Sequence, residues 1–286
     1  MFFVTGSTGN VGRHVVDLLL AEGAKVRALT RDPQAADLPA GAEVIGGDLS
    51  RPESLAPALD GVTGVFVNPA AVGGGTGAFL KVARERGVRR VVLLSSASVR
   101  DGVAEQDGPI ALRHKAIEDE VEASGLEWTS LRPGEFAANL LFGWAPQIRA
   151  EGVVRGTYGM AAMASIHERD IAEVGVRVLL DESGEHAGGR YELSGPESLT
   201  QYDKARIIGE VTGRAVRFEE LPPPEGRQAM IEQGLPADVA DVLLGYQAAA
   251  VGRDAPVSPA VRRITGRPGR TFAEWVADHA EAFGGR

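Results

Sequence analysis

The chain has 286 residues, a formal charge of −9 and no cysteine. That length allows one large α/β domain with an appended lobe, and the missing cysteines exclude disulfides, thiolate metal sites and a cysteine nucleophile. The acidic balance runs against a nucleic-acid binder, which needs a basic face for phosphates, and no apolar run or basic leader marks a membrane span or a secretion signal. A cytoplasmic protein with neither nucleic acid nor membrane as partner is expected from these absences.

In chain order, strands are predicted at 2–5, 25–30, 43–46, 62–68, 90–95 and 127–132. Helical patterns at 10–22, 52–59, 77–86 and 112–124 lie between them. The strands are short and apolar without clean alternation, as strands buried on both faces are. Gly61-Val62 and Gly87-Val88 read as helix ends turning into the next strand. Strand and helix in alternation give an α/β fold, a Rossmann-type, doubly wound parallel sheet with right-handed crossovers. A less regular stretch rich in glycine and alanine occupies 135–164, followed by a helix at 169–180 and a strand at 190–194. From Gly195 the chain becomes helical and proline-punctuated, including Pro222-Pro223-Pro224. Residues 1–132 with 166–194 are therefore expected to form the dinucleotide-binding domain, and 133–165 with 195–286 a smaller C-terminal substrate lobe. The cleft between them should lie at the carboxyl ends of the strands.

The sharpest local motif is Thr5-Gly6-Ser7-Thr8-Gly9-Asn10-Val11-Gly12, which leaves the first strand and opens the first helix. Gly6 permits a tight turn, Gly9 clears the path of a pyrophosphate, and Gly12 lets helix and strand pack closely. The free N–H groups and dipole of the helix start, at Thr8 to Gly12, then receive the anion. The spacing is G-x-x-G-x-x-G, and a purely structural turn is the plainer alternative. The second strand ends at Arg31, where an NAD site would carry an acid. A guanidinium there suits a 2′-phosphate, so NADPH is expected over NADH. The alternative for Arg31 is a solvated surface side chain. In Gly47-Asp48-Leu49, closing the third strand, Asp48 would accept the adenine amino group or cap the following helix.

These residues, with 26–31, 91–96, Leu131-Arg132-Pro133-Gly134, Asp170-Ile171-Ala172 and 191–196, resemble the NmrA-like branch of the atypical short-chain dehydrogenase/reductase superfamily. The resemblance runs over roughly the first 215 residues and fades in the C-terminal lobe. It implies the fold and a bound NAD(P)H, with Leu49, Asn68, Pro69, Ser95, Lys115 and Pro133 at or near the cofactor. That family holds quinone reductases, dye reductases, natural-product reductases and non-catalytic dinucleotide sensors.

Typical members of the superfamily carry Tyr-x-x-x-Lys on the helix after the fifth strand, both on one face. Here Lys115 is present, to hold the ribose, but Ala111 stands where the tyrosine would be. His114 points about 100° away around the helix; a surface histidine is its plainer reading, and catalytic work the lesser one. Ser95, ending the fifth strand, would hydrogen-bond substrate or carboxamide, or is simply small where strands meet a cofactor. Phe136, Asn139, Phe142 and Trp144 would line an aromatic substrate pocket, or form lobe core. Tyr158 would supply a proton from the lobe side, or pack there. His167 to Asp170 reads as a charged turn at a helix start, and no metal site is expected. The expected activity is NADPH-dependent hydride transfer to a small, flat, electron-poor substrate such as a quinone, iminium or enone, without the tyrosine. A dinucleotide-sensing regulator and a tyrosine-independent ketoreductase are the alternatives.

Overall fold

Strands that are apolar on both faces can only sit between two layers of helix. The computed structural model, which describes residues 1–72 and 75–285, shows that arrangement. Six strands come first: β1 (Phe2–Val4), β2 (Val26–Thr30), β3 (Glu43–Gly46), β4 (Gly64–Val67), β5 (Arg90–Leu94) and β6 (Glu127–Pro133). After β7 (Val153–Gly156) and β8 (Ala162–Met163), β9 (Gly189–Leu193) returns to the sheet. The order is β3-β2-β1-β4-β5-β6-β9, with every neighbouring pair parallel. The order reverses beside β1, and a crevice opens there at the carboxyl ends.

Among the helices, α1 (Gly12–Ala21), the short α2 (Pro69–Val72), α3 (Thr76–Glu85) and α4 (Gly108–Glu122) fall between these strands. After β6 come α5 (Leu140–Gly143), α6 (Ala145–Glu151) and α7 (Glu168–Leu180). Residues Pro52–Leu59 form a 3-10 helix with Pro57 inside it; a proline removes an N–H that a longer α-helix needs. α4 begins four residues before the predicted start. Adjacent residues of β1 face opposite layers, as strand geometry requires. Val4 packs with Val15 and Leu19 of α1 and Ile171 and Val174 of α7. Phe3 packs with Leu55, Phe79, Leu80 and Val121 on the other side. Both Phe3 and Val4 are fully buried, so no polar residue marks either face.

The rest of the chain is β10 (Leu199–Thr200), α8 (Gln201–Thr212), β11 (Arg217–Glu220), α9 (Pro223–Glu232), α10 (Ala237–Ala250), α11 (Ala260–Thr265) and α12 (Phe272–Asp278). β10 pairs antiparallel with β8, and β11 parallel with β7. A third core gathers Ile148, Ile208, Phe272, Trp275 and Phe283. By contrast, Ala260 and Val261 of α11 join the core between α1 and α7, so the C-terminal segment also roofs the sheet. Among the described residues, no helix is long and apolar enough to cross a membrane.

α12 and the residue after it dock on α7 through polar groups, of which His167 and Glu168 are buried. Glu168 accepts from Trp275 Nε1 at 3.0 Å and pairs with His279 Nε2 at 2.9 Å. His167 caps α7 by accepting from Arg169 N–H at 3.1 Å, and its Nε2 meets Asp278 at 3.2 Å. His14 of α1 lies within range of Glu168 and His167, and burial lowers its pKa. Burial works against the charge on Glu168, but the bonds from His167 and His279 outweigh it and hold the carboxyl well below its usual range. Burial also opposes the charge on His279, yet Glu168 leaves that ring raised. Glu168 therefore stabilises the fold above its unfolded value of ~4.3 and loses that contribution as pH falls. His279 stabilises fully below ~6.5 and loses its contribution as pH rises through its raised value. Urea midpoints should fall on either side of that window, and His279→Gln should flatten the alkaline fall. An unchanged alkaline slope in the variant would remove His279 from this role.

Candidate functional site

The turn from β1 into α1 is a backbone cradle. Gly6 has φ +62°, and a Cβ there would stand 2.9 Å from the Asn68 amide nitrogen. The N–H of Gly9 donates to Gly6 O at 3.0 Å. At Gly12 a Cβ would lie 2.1 Å from Gly6 O, so only glycine lets α1 start this close to the turn. Ser7, fully buried, donates its hydroxyl to Leu29 O at 2.8 Å and ties the turn to β2. The Thr5 hydroxyl accepts the Asn68 N–H at 2.8 Å and ties it to β4. No side chain caps α1 and none in its first turn is acidic. Among the described residues, the N–H groups of Asn10, Val11 and Gly12 have no protein acceptor. Donors that converge unpaired at a helix start fit a phosphate anion. Thr8 and Asn10 are exposed beside them.

At the end of β2, Arg31 is exposed and forms no ion pair with the described residues. Asp32, the neighbour that would oppose an anion, turns onto its own loop. Its carboxylate accepts from Gln34 and Ala35 N–H at 3.1 and 3.2 Å. Asp48 is also exposed and accepts the Ser50 N–H at 2.8 Å. Ser50 is the main cause of its lowered pKa, with Arg51 and Arg31 adding to it. It does not cap the 3-10 helix, whose cap position is Arg51. Leu49 is buried in the sheet core with Leu55 and Leu59.

The strands that follow bring together the other sequence-predicted groups. Asn68 directly follows β4 and accepts the Ala70 N–H at 3.0 Å, opening α2 at Pro69. Ser95 directly follows β5, is 3% exposed, and its hydroxyl has no partner among the described residues. Pro133 ends β6 and accepts the Ala97 N–H at 3.0 Å. On α4, Ala111 is fully buried and Lys115, one turn on, bonds Asp119. His114 is not the surface residue expected. Burial lowers its pKa, and its Nδ1 is buried without a partner.

Arg132 is structural. It is 3% exposed and grips Glu118 of α4 at 2.9 and 2.6 Å and Asp101 at 2.9 and 2.8 Å. Burial disfavours its charge, but those carboxylates more than offset this and raise its pKa. The clamp holds α4, and with it Lys115, against the sheet.

A cavity of about 540 Å³ opens beyond β5, β6 and β9, within the roughly 300–1,000 Å³ of small-molecule sites. Ala97, Gly134, Glu135, Met163, Leu193 and Tyr246 are among its walls. Glu135 is held by Ser165 and by Lys204, which is itself fully buried. The predicted aromatic group does not assemble there. Phe136 packs on the sheet core, Trp144 lies tilted against Phe218 at 5.7 Å beside the third core, Asn139 is exposed, and Phe142 is 76% exposed. Short helices at 137–151 turn successive residues to different sides, so nearness in sequence did not make one wall. Tyr158 does not line the cavity either, and it adopts φ +52°. Tyr246 and Glu135 escaped the sequence reading because nothing local ties α10 or Lys204 to the ends of β5 and β6. Among the described residues, no group of three or more His, Asp or Glu is placed to hold a metal ion.

Residues 6–182 match the family model described as NAD(P)H-binding, more than half of the chain. The chain belongs to this family, in its NmrA-like, atypical short-chain dehydrogenase/reductase branch. It is an NAD(P)H-dependent oxidoreductase. The reductase is 38% identical over 285 residues to the (4-alkanoyl-5-oxo-2,5-dihydrofuran-3-yl)methyl phosphate reductase of Streptomyces griseus, a match covering 99% of each chain. It is 34% identical over 292 residues to the NAD(P)H azoreductase of Xenophilus azovorans, again over 99% of each. Among solved structures, the NADPH-dependent quinone oxidoreductase of Escherichia coli in complex with NADPH superposes with a TM-score of 0.76 at 26% identity. That match covers 98% of this chain and 99% of the other.

Proposed function

We propose that this reductase uses NADPH to reduce small, flat, electron-poor substrates of the quinone, iminium or enone class, without a tyrosine acid on α4. The observation that carries this is Ala111, fully buried one turn before Lys115 on the face where the acid would stand. Ketone reduction builds an alkoxide and needs a close acid, whereas conjugated acceptors spread the charge. The names of the relatives point the same way. An azo bond, a quinone and a 5-oxo-2,5-dihydrofuran bearing an alkanoyl group are all conjugated acceptors.

The N–H groups of residues 10–12 would hold the pyrophosphate, Arg31 the 2′-phosphate and Lys115 the ribose after leaving Asp119. Ser95 would turn its unpartnered hydroxyl to the carboxamide or a substrate oxygen. When bound, the dinucleotide supplies a hydride. The protein supplies position, with Ala97, Gly134 and Leu193 among the small and apolar residues of the cavity wall.

NADPH consumption with a quinone, an iminium ion and an unsaturated lactone, against simple ketones, tests the reading. Turnover of the conjugated acceptors alone is expected. Tight NADPH binding with no turnover of any would overturn it and leave a dinucleotide sensor. Preference for simple ketones would mean a tyrosine-independent ketoreductase. For cofactor choice, Arg31→Ala should weaken NADPH binding by roughly tenfold to a hundredfold and leave NADH nearly unchanged, since only NADPH offers the 2′-phosphate. Equal losses in calorimetric titrations of both would show that Arg31 does not read that phosphate.

A further inference from the structure

We propose that the phenol of Tyr246, carried on α10, is the proton donor that completes reduction in this cleft. The proposal rests on the reading of the protein as a reductase of conjugated acceptors. Tyr246 shares the cavity wall with Ala97 and Gly134, which follow β5 and β6. Of the four tyrosines, Tyr191 commits its hydroxyl to His186 and Tyr202 to Glu220, and Tyr158 is not in the wall. Tyr246 forms no side-chain hydrogen bond with the described residues, is half-buried and lines the cavity.

α10 is fastened on both sides of this tyrosine. Val242, one turn earlier on the same face, presses on Gly108 so closely that a Cβ there would lie 2.7 Å from it. Gly108 begins α4, the helix of Ala111 and Lys115. One residue after Tyr246, Gln247 accepts the Thr157 hydroxyl at 2.6 Å, and Val251 bridges to Ala161. The ring is therefore held over the start of the helix that lacks an acid. Its charged neighbours are Arg100 and Asp107, themselves paired at 2.8 Å in the segment between β5 and α4. Burial raises the phenol pKa, so the group stays protonated through neutral pH and acts as a donor.

Reduction of a C=C bond conjugated to a carbonyl needs one hydride and one proton. The hydride from bound NADPH forms the new C–H bond at the β-carbon, with NADP⁺ as the other product. The π pair shifts to give an enolate, the Tyr246 O–H gives its proton to that enolate, and water reprotonates the phenolate. A quinone accepts the hydride to give a hydroquinone anion, which is far less basic and is protonated by solvent. Tyr246 therefore matters for unsaturated lactones and little for quinones.

Tyr246→Phe in the full chain should lower kcat for an unsaturated lactone by about 10²–10⁴-fold. It should leave kcat for a quinone within about tenfold and NADPH affinity unchanged. With fluorotyrosine at position 246, the alkaline limb of the lactone pH–rate profile should move to lower pH, because fluorine acidifies the phenol. Without any cofactor, the fluorine NMR signal should shift when the lactone is added. Lactone kcat within threefold in Tyr246→Phe, or equal losses with both acceptors, would overturn the proposal, as would a silent fluorine signal. Wild-type protein inert to both acceptors would overturn the reductase reading, and this proposal with it.

Discussion

Replacing Arg132 by methionine is expected to cost about 3–5 kcal/mol of folding stability, the range for stranding one partner of a buried ion pair. Glu118 is fully buried, and its carboxylate takes both of its bonds from Arg132. Asp101, on the other side of the guanidinium, is exposed and returns to water without penalty. The loss therefore falls on Glu118. Adding Glu118→Leu should recover most of it, because removing both charges leaves an apolar contact in place of a stranded ion. NADPH affinity should follow the same course, falling in the single variant and returning in the double, because the pair braces the helix of Lys115. Urea unfolding and calorimetric titration of the three variants would decide it. A single variant within about 1 kcal/mol of wild type would show that Glu118 finds another partner.

Gly12→Ala should be the most damaging single methyl group in the turn. It would place a carbon 2.1 Å from Gly6 O and 2.7 Å from Gly6 C, and both are backbone atoms that no rotamer change can move. α1 must shift off the turn, costing about 1–3 kcal/mol as overpacking does and pulling the N–H groups of residues 10–12 out of register. Dinucleotide binding should be lost while far-ultraviolet circular dichroism persists. Gly9 behaves differently, since a Cβ there meets only Gly6 O at 3.3 Å. Gly9→Val should keep the melting temperature and lose the cofactor, because its side chain enters the path of the anion. Matched melting temperatures and matched affinities in the two variants would mean that the glycines are interchangeable.

The sheet was legible because its signal is local. β3 and the turn at Pro52–Leu59 fell at the predicted residues, where short apolar runs end at glycine or proline. The turn from Thr5 to Gly12 was legible as a motif, since Gly9 and Gly12 both answer to Gly6 within six residues, whereas Asn68, which crowds Gly6 from just after β4, could not be read locally. The cleft was not legible in that way. Tyr246 faces Gly134 across more than a hundred residues, and α10 carries no sequence sign of where it lands. His167, Glu168 and Asp170 read as a charged turn because carboxylates are ordinarily on the surface. Their partners are Trp275, His279, Arg267 and Arg270, about a hundred residues away. Trp144 and Phe142 are two positions apart, yet one is core and the other faces solvent. No periodicity was available to separate them in helices of four and seven residues.

That distance sets an order of events during synthesis. α7 leaves the ribosome about a hundred residues before the side chains that neutralise it. Arg267 is 97 positions from Asp170, and Trp275 is 107 from Glu168. Until they emerge, two carboxylates that end up dry need water, and the helix that covers one side of β4 and β6 cannot settle. The nascent sheet therefore waits with one layer loose, and the final twenty residues of this sequence act as the closing stitch.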